Sequence, residues 1–282
     1  MKDFFSLPHL LYMIFAAAVL VGLYFLLRSR TEKTQKIVIF SLMLLNLLQH
    51  LLKIYVYPQY WGQEWGALST AYNMCAFLII ITPFVFLFGS ELWRNFMTYV
   101  GTVAGALSLL VTYWLADPIE GQLRFVICHA LLLYTSALPA MLGIYKINYR
   151  KCWRLPFVFY ISLGVLIVND VITYSLGIAG DLGNMSLEEF LIRENPCWVM
   201  GPPAGYPFVE SLVGFFSPDV FSGIPLLWYI VPLFLLILVG SFGLGIVFDN
   251  ERFKSDFKIF KENTVEIYTS IKNKFASKEN DK

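Results

Sequence analysis

Apolar runs of roughly twenty residues recur along the chain, separated by short charged clusters. The runs are Leu7–Leu27, Ile37–Val56, Ala67–Phe88, Phe96–Leu115, Leu123–Tyr145, Leu155–Ile178 and Ile224–Phe248. An α-helix rises 1.5 Å per residue, so about twenty residues cross a ~30 Å hydrocarbon core. The pattern therefore predicts an all-α polytopic membrane bundle of about seven spans over residues 1–248. Two stretches break the rhythm. Residues 179–223 are long for a connector and rich in Pro, Trp and Tyr, as expected of an outer loop, a lid or a re-entrant segment. Residues 249–282 intersperse Phe253, Phe257, Phe260, Ile267 and Tyr268 with Lys, as expected of a basic amphipathic tail on the cytoplasmic face.

Composition agrees with this division. The chain is 57% hydrophobic and 15% charged, well below the ~25% charged residues of soluble domains. Its net charge of +1 says less than its distribution does. Arg28, Arg30, Lys33, Lys36, Arg94, Lys146, Arg150, Lys151 and Arg154 follow the odd-numbered runs, as does the Lys-rich tail. Glu64, Asp117, Glu120, Asp181, Glu188, Glu189, Glu194, Glu210 and Asp219 follow the even-numbered ones. The positive-inside rule then predicts a multi-pass protein of the cell membrane, N-terminus outside and C-terminus in the cytoplasm. The basic cluster follows the first run instead of preceding it, so that run reads as a span and not as a signal peptide. Once the loops are assigned no basic face remains for nucleic acid. The 4 Cys suggest no disulfide framework, and the sequence leaves the oligomeric state open.

Polar residues inside the runs are the candidate chemistry, because ionisable groups at membrane depth are costly. Asn46, Gln49, His50 and Lys53 are spaced i, i+3, i+4 and i+7, one face of a helix. The third run holds Tyr72, Asn73 and Cys75, the fifth Arg124, Cys128 and His129, and the sixth Asn169, Asp170 and Thr173. From the helical rise, His50 and His129 lie roughly 9 Å from the outer ends of their spans, and Cys75 and Asp170 roughly 12 Å. Four helices thus place polar groups in one layer of the outer half, while the inner halves read as almost purely apolar. The expectation is a pocket opening toward the outer leaflet. Gly101, Gly105, Ser108 and Thr112 form a small-residue stripe read as helix packing.

Several uses of that pocket are open. A Cys near a His supports nucleophilic catalysis on an acyl lipid, with Arg124 and Lys53 available to a phosphate and Asn73 to an oxyanion. A transporter would use His50, Lys53 and Asp170 to bind substrate or protons, although neither an inverted repeat nor a polar path inward is legible. Two His on different helices could ligate haem or zinc, but 3 His in the chain is a thin set, and no metal or cofactor is expected. A cluster serving only to hold the bundle together is the remaining reading.

The runs Tyr72-Asn73-Met74-Cys75 and Trp93-Arg94-Asn95-Phe96, then Gly101 to Ser108, Arg124-Phe125 and His129, resemble the YwaF-type bacterial membrane proteins, grouped with eukaryotic transmembrane protein 164. The resemblance runs from about Leu7 to Phe248 and implies seven helices. Eukaryotic members are described as phospholipid acyltransferases with a membrane-embedded Cys, distantly similar to androgen-induced-protein hydrolases that pair Thr with His. Carried over, Cys75 is the acyl acceptor, His129 the base, and membrane lipids the partners. Many bacterial relatives have His two residues before the Cys, where this chain has Asn73. Its outer segment before the last span is also longer and richer in Pro. Both departures bear on substrate choice.

Overall fold

The computed structural model describes residues 7–57, 70–111, 119–178, 184–194 and 230–280. All regular elements among them are helical. In chain order they are α1 (Leu7–Arg28), α2 (Glu32–Leu51), α3 (Lys53–Val56), α4 (Met74–Phe88), α5 (Glu91–Phe96), a π-helical turn (Met97–Gly101) and α6 (Thr102–Val111). Then come α7 (Ile119–Met141), a 3-10 turn (Tyr149–Arg154), α8 (Leu155–Ser175), α9 (Leu187–Glu194), α10 (Ile230–Phe248) and α11 (Asn250–Asn280).

Four of these helical stretches are long and apolar enough to cross a membrane: His9–Arg28, Glu32–Leu51, Leu123–Met141 and Tyr149–Ser175. A fifth is added if Phe234–Phe248 and Asn250–Thr269, bent by 102°, count as one broken span. α4 is apolar but has only 15 residues. Residues 67–69 and 112–115 of the third and fourth apolar runs lie outside the described residues. The helices turn apolar side chains outward. Ile14 and Phe15 of α1 are 64% and 66% exposed, an arrangement suited to lipid and costly in water. Several apolar helices of this kind make the chain a multi-pass helical membrane protein.

α7 is the hub, packing against α1, α2, α4 and α6. Its tightest neighbour is α6, and glycine makes that approach possible. A Cβ on Gly105 would stand 2.7 Å from the Leu133 nitrogen and 2.9 Å from the His129 carbonyl oxygen. Gly101 likewise faces Ser136. The small-residue stripe therefore serves close packing at these two positions. Buried apolar side chains from α1, α2, α4 through α8 form one core, including Ile39, Leu78, Phe96, Leu132, Leu138 and Leu166.

Three local features depart from the apolar pattern. The second run is not one helix: α2 ends at Leu51, Leu52 sits at φ −97° and ψ 6°, and α3 carries Lys53. The third helix starts at Met74, because Asn73 caps it by accepting from the Ala76 N–H at 2.8 Å. The half of the bundle expected to face inward is also less apolar than the sequence reading holds. Asn95, Thr98 and Thr102 on the α5–α6 stretch and Ser136 on α7 each bury a side-chain oxygen with no hydrogen-bond partner among the described residues.

Outside the bundle, α9 opens on a capping box. Ser186 Oγ accepts from the Glu189 N–H, and the Glu189 carboxylate accepts from the Ser186 N–H at 2.7 Å. These bonds hold the Glu189 carboxyl below the usual range. α9 then docks on α8 through Phe190, 1% exposed and 5.5 Å from the Tyr174 ring. The rest of the 179–223 segment, where a lid or re-entrant loop is expected, lies outside the described residues. α11 leaves α10 at a steep angle, and its first turns are tied back by Asp256, which accepts from Arg150 Nε at 2.7 Å and from the Tyr149 hydroxyl.

Candidate functional site

The polar face of α2 does not point at lipid. Asn46 and His50, and Lys53 just beyond on α3, are 2%, 3% and 0% exposed, and they are met by α7 and by the segment before α4. Asn46 Nδ2 donates to the Cys128 carbonyl of α7 at 3.1 Å. His50 Nε2 bonds the Thr70 carbonyl, just before α4, at 3.1 Å. Lys53 Nζ stands 4.6 Å over the Tyr72 ring. That ring also stacks on His50, with centroids 6.2 Å apart and planes inclined by 14°. Tyr72 is thus an aromatic shelf between a cation and an imidazole, a placement favoured by the negative face of the ring.

α7 and α8 close the layer from the other side. Lys53 lies within electrostatic range of Arg124 and Cys128, and His50 within range of Lys53 and Arg124. Asn169 Nδ2 donates to the Thr70 hydroxyl at 3.1 Å. Its neighbour Asp170 is 2% exposed, and the Asp170 carbonyl receives the Thr173 hydroxyl at 2.9 Å. So Asn46, His50, Lys53, Tyr72, Arg124 and Asn169 are joined in one connected layer. Two basic side chains and an imidazole thus share the layer with the buried Asp170 carboxyl, and charges held together at low dielectric interact strongly.

Cys75 and His129 occupy the neighbouring part of the layer without a hydrogen bond between them. Cys75 is half-buried, and Ser108 Oγ of α6 lies 3.9 Å from its sulfur. His129 Nδ1 bonds the Phe125 carbonyl at 2.8 Å, with Cys128 Sγ at 3.5 Å. A carbonyl can only accept, so Nδ1 carries the proton and Nε2 keeps the lone pair that a general base needs. Gly105 touches the His129 carbonyl, and Ser108 follows Gly105 by three residues on the same face of α6. Ser108 therefore stands on the stretch of α6 that faces both Cys75 and the α7 turn bearing His129.

Asn73 is committed to capping α4 through its side-chain oxygen, which leaves its amide nitrogen, not its carbonyl, for any other partner. Sequence reasoning missed Thr70, which serves two helices at once. Its signal was a polar residue just ahead of an N-cap. It also treated Ser108 as packing alone. Among the described residues no group of three or more His, Cys, Asp or Glu could hold a metal ion. Cys75, Cys128 and Cys152 are free thiols.

No protein-family model matches the chain, and neither a curated protein nor a solved structure does.

Proposed function

We propose that this is a seven-span membrane protein, N-terminus outside and C-terminus in the cytoplasm, whose outer-half pocket holds the anionic headgroup of a lipid for acyl transfer or hydrolysis. The observation that carries the reading is the placing of the Tyr72 ring between buried Lys53 and His50, with the half-buried Arg124 of α7 within electrostatic range of both. A phosphate among them is held by a guanidinium fork and an ammonium point charge. Basic residues from several loops also meet at one end of the bundle, where Arg94, Lys146, Lys151 and Arg252 line one cleft. That gathering supports the orientation.

In this reading Cys75 is the nucleophile and His129 the base. The Cys75 proton passes to His129 Nε2, directly or through the Ser108 hydroxyl. The thiolate attacks the ester carbonyl carbon, and the lipid alkoxide leaves with the proton returned by His129. The thioester is then cleaved by an acceptor hydroxyl or water, whose proton passes back to His129 and on to the thiol. Incubating purified protein with labelled-acyl phospholipid gives the test. Hydroxylamine-sensitive label, or released fatty acid, is expected on wild type and absent with Cys75→Ala and His129→Ala. Full activity in both variants ends the catalytic reading. Neither label nor fatty acid with folded protein, together with solute uptake in proteoliposomes, moves the pocket to transport.

A further inference from the structure

At the other end of the bundle lies a second, unrelated site. Lys36 and Lys53 flank the second apolar run, seventeen residues or about 25 Å apart along a helix, so this site cannot share a ligand headgroup with the outer pocket. Two adjoining cavities open here, of about 360 and 530 Å³. They share Arg94 and Ile144 and so form one cleft with two characters. The first half has an aromatic floor, with Phe86 stacked on Phe40 at 6.2 Å and touching Tyr145 at 5.9 Å. Its rim is Ile37 and Leu87, 56% and 49% exposed, facing sideways out of the bundle. The second half is lined by Arg94, Lys146, Lys151 and Arg252, with Glu91 its one carboxylate.

The charges in that half do not cancel. Glu91 is taken by Lys151 at 2.7 Å, and Arg252 is taken by Asp249 at 2.9 Å. Arg94 and Lys146 have no carboxylate within ion-pair distance among the described residues. Arg94 instead lays its guanidinium 5.5 Å over the Tyr145 ring, and its Nε is buried without a hydrogen bond among the described residues. A buried N–H with no acceptor is a cost that a ligand oxygen would remove. A guanidinium fork beside an ammonium matches a phosphate, and the apolar flank that opens sideways matches an acyl chain. The amphipathic tail cannot supply this selectivity by charge, since residues 249–282 hold eight basic and seven acidic side chains. Exposed Phe257, Phe260 and Ile267 on α11 give it apolar affinity for an interface instead.

We propose that this cleft is a binding site for an anionic glycerophospholipid, with the phosphate held by Arg94 and Lys146 and an acyl chain along Phe40, Phe86 and Leu87. The inference rests on the membrane reading of the chain, but not on catalysis at Cys75.

Native mass spectrometry of the full-length protein, released from nanodiscs of phosphatidylglycerol and phosphatidylcholine, tests it. Wild type is expected to retain phosphatidylglycerol at least fivefold over phosphatidylcholine. Arg94→Gln with Lys146→Gln is expected to lose that preference, and Lys261→Gln, on the far part of α11, to keep it. Lys146→Gln alone alters an exposed side chain and guards against misfolding, with a partial loss expected. Millimolar inorganic phosphate is expected to leave the lipid in place, because the acyl flank contributes. Equal retention of the two lipids by wild type overturns the proposal. So does an undiminished preference in both Lys146→Gln and the double variant, or complete displacement by phosphate.

Discussion

Asn46 of α2 donates its side-chain amide to the main-chain carbonyl of Cys128 on α7, 3.1 Å away and 82 residues on. This bond fixes the rotation of α2 against the hub helix. With that rotation set, His50, one turn further along the same face, must point into the bundle, and Lys53 follows on α3 beyond the break at Leu52. Replacement by Leu keeps the volume and removes this bond together with the one that Asn46 Oδ1 accepts from Gln49 Nε2. Interhelical hydrogen bonds in membranes average about 0.6 kcal/mol and reach about 1.7. Asn46→Leu is therefore expected to lower unfolding stability in detergent by about 1 kcal/mol. An unchanged denaturation midpoint would show that the bond does not set the α2 rotation.

Glycines on this chain separate cleanly into those under contact and those in the open. A methyl at Gly105 meets backbone atoms of α7 at 2.7 and 2.9 Å, and one at Gly245 meets Cys152 Sγ and Tyr149 Cβ at 2.9 Å each. Gly22 and Gly240 have nothing within 4 Å. Overpacking costs about 1–3 kcal/mol, while a methyl in open space raises helix propensity. Thermal melts in detergent should show Gly105→Ala and Gly245→Ala destabilised, the first more because backbone cannot step aside. Gly22→Ala and Gly240→Ala should match wild type or exceed it.

These contrasts also mark what was legible in the sequence. Spans are set by length and hydropathy, so the helices carrying Ile14, Leu132 and Leu166 were readable from composition alone. The buried face of Asn46, His50 and Lys53 was readable too, because helical spacing and the cost of buried charge both constrain it. What periodicity cannot convey is the relation between helices. The break at Leu52 and the π-helical turn at Met97–Gly101 leave apolar runs uninterrupted. Whether Cys75 faces His129 or Ser108 depends on how α4 and α7 are rotated, and no one-dimensional pattern specifies that. Ser136 stands out as a polar residue of the fifth run, but Thr98 escaped notice because a hydroxyl counts as nearly neutral in a hydropathy average.

The tie between α11 and the bundle should respond to acid. Arg150 and the Tyr149 hydroxyl hold the Asp256 carboxyl well below its usual range, at about 2. A depressed carboxylate contributes docking that is complete above its ordinary pKa near ~3.9. As pH falls from there through about 2, protonation removes it. Between pH 5 and 8 the tail should stay docked with no pH dependence from this group. Limited proteolysis near Asp249–Phe253 measures the docking. Asp256→Asn is expected to show, at neutral pH, the cleavage that wild type shows only below about pH 3. Equal cleavage of the two proteins at every pH would mean that the contact does not hold the tail.

The hydroxyl of Thr98 is the sharpest case of polarity without a partner. Thr98 is 0% exposed, and its Oγ1 has no hydrogen bond among the described residues. Thr135, on the facing helix, satisfies itself by donating to the Leu131 carbonyl one turn back at 2.7 Å. A buried hydroxyl without a partner costs about 1–3 kcal/mol, and replacing it by an apolar group of the same shape is neutral or stabilising. Thr98→Val is therefore expected to hold or raise the melting temperature, by up to about 1 kcal/mol of stability. Thr135→Val loses a made bond and is expected to lower stability by a few tenths of a kcal/mol, as the modest net worth of such bonds implies. The two substitutions delete the same atom from the same interior, so their difference isolates hydrogen-bond satisfaction from burial. A Thr98→Val protein less stable than Thr135→Val would place an unseen partner, most simply water, at the π-helical turn, where backbone already departs from regular α-helix.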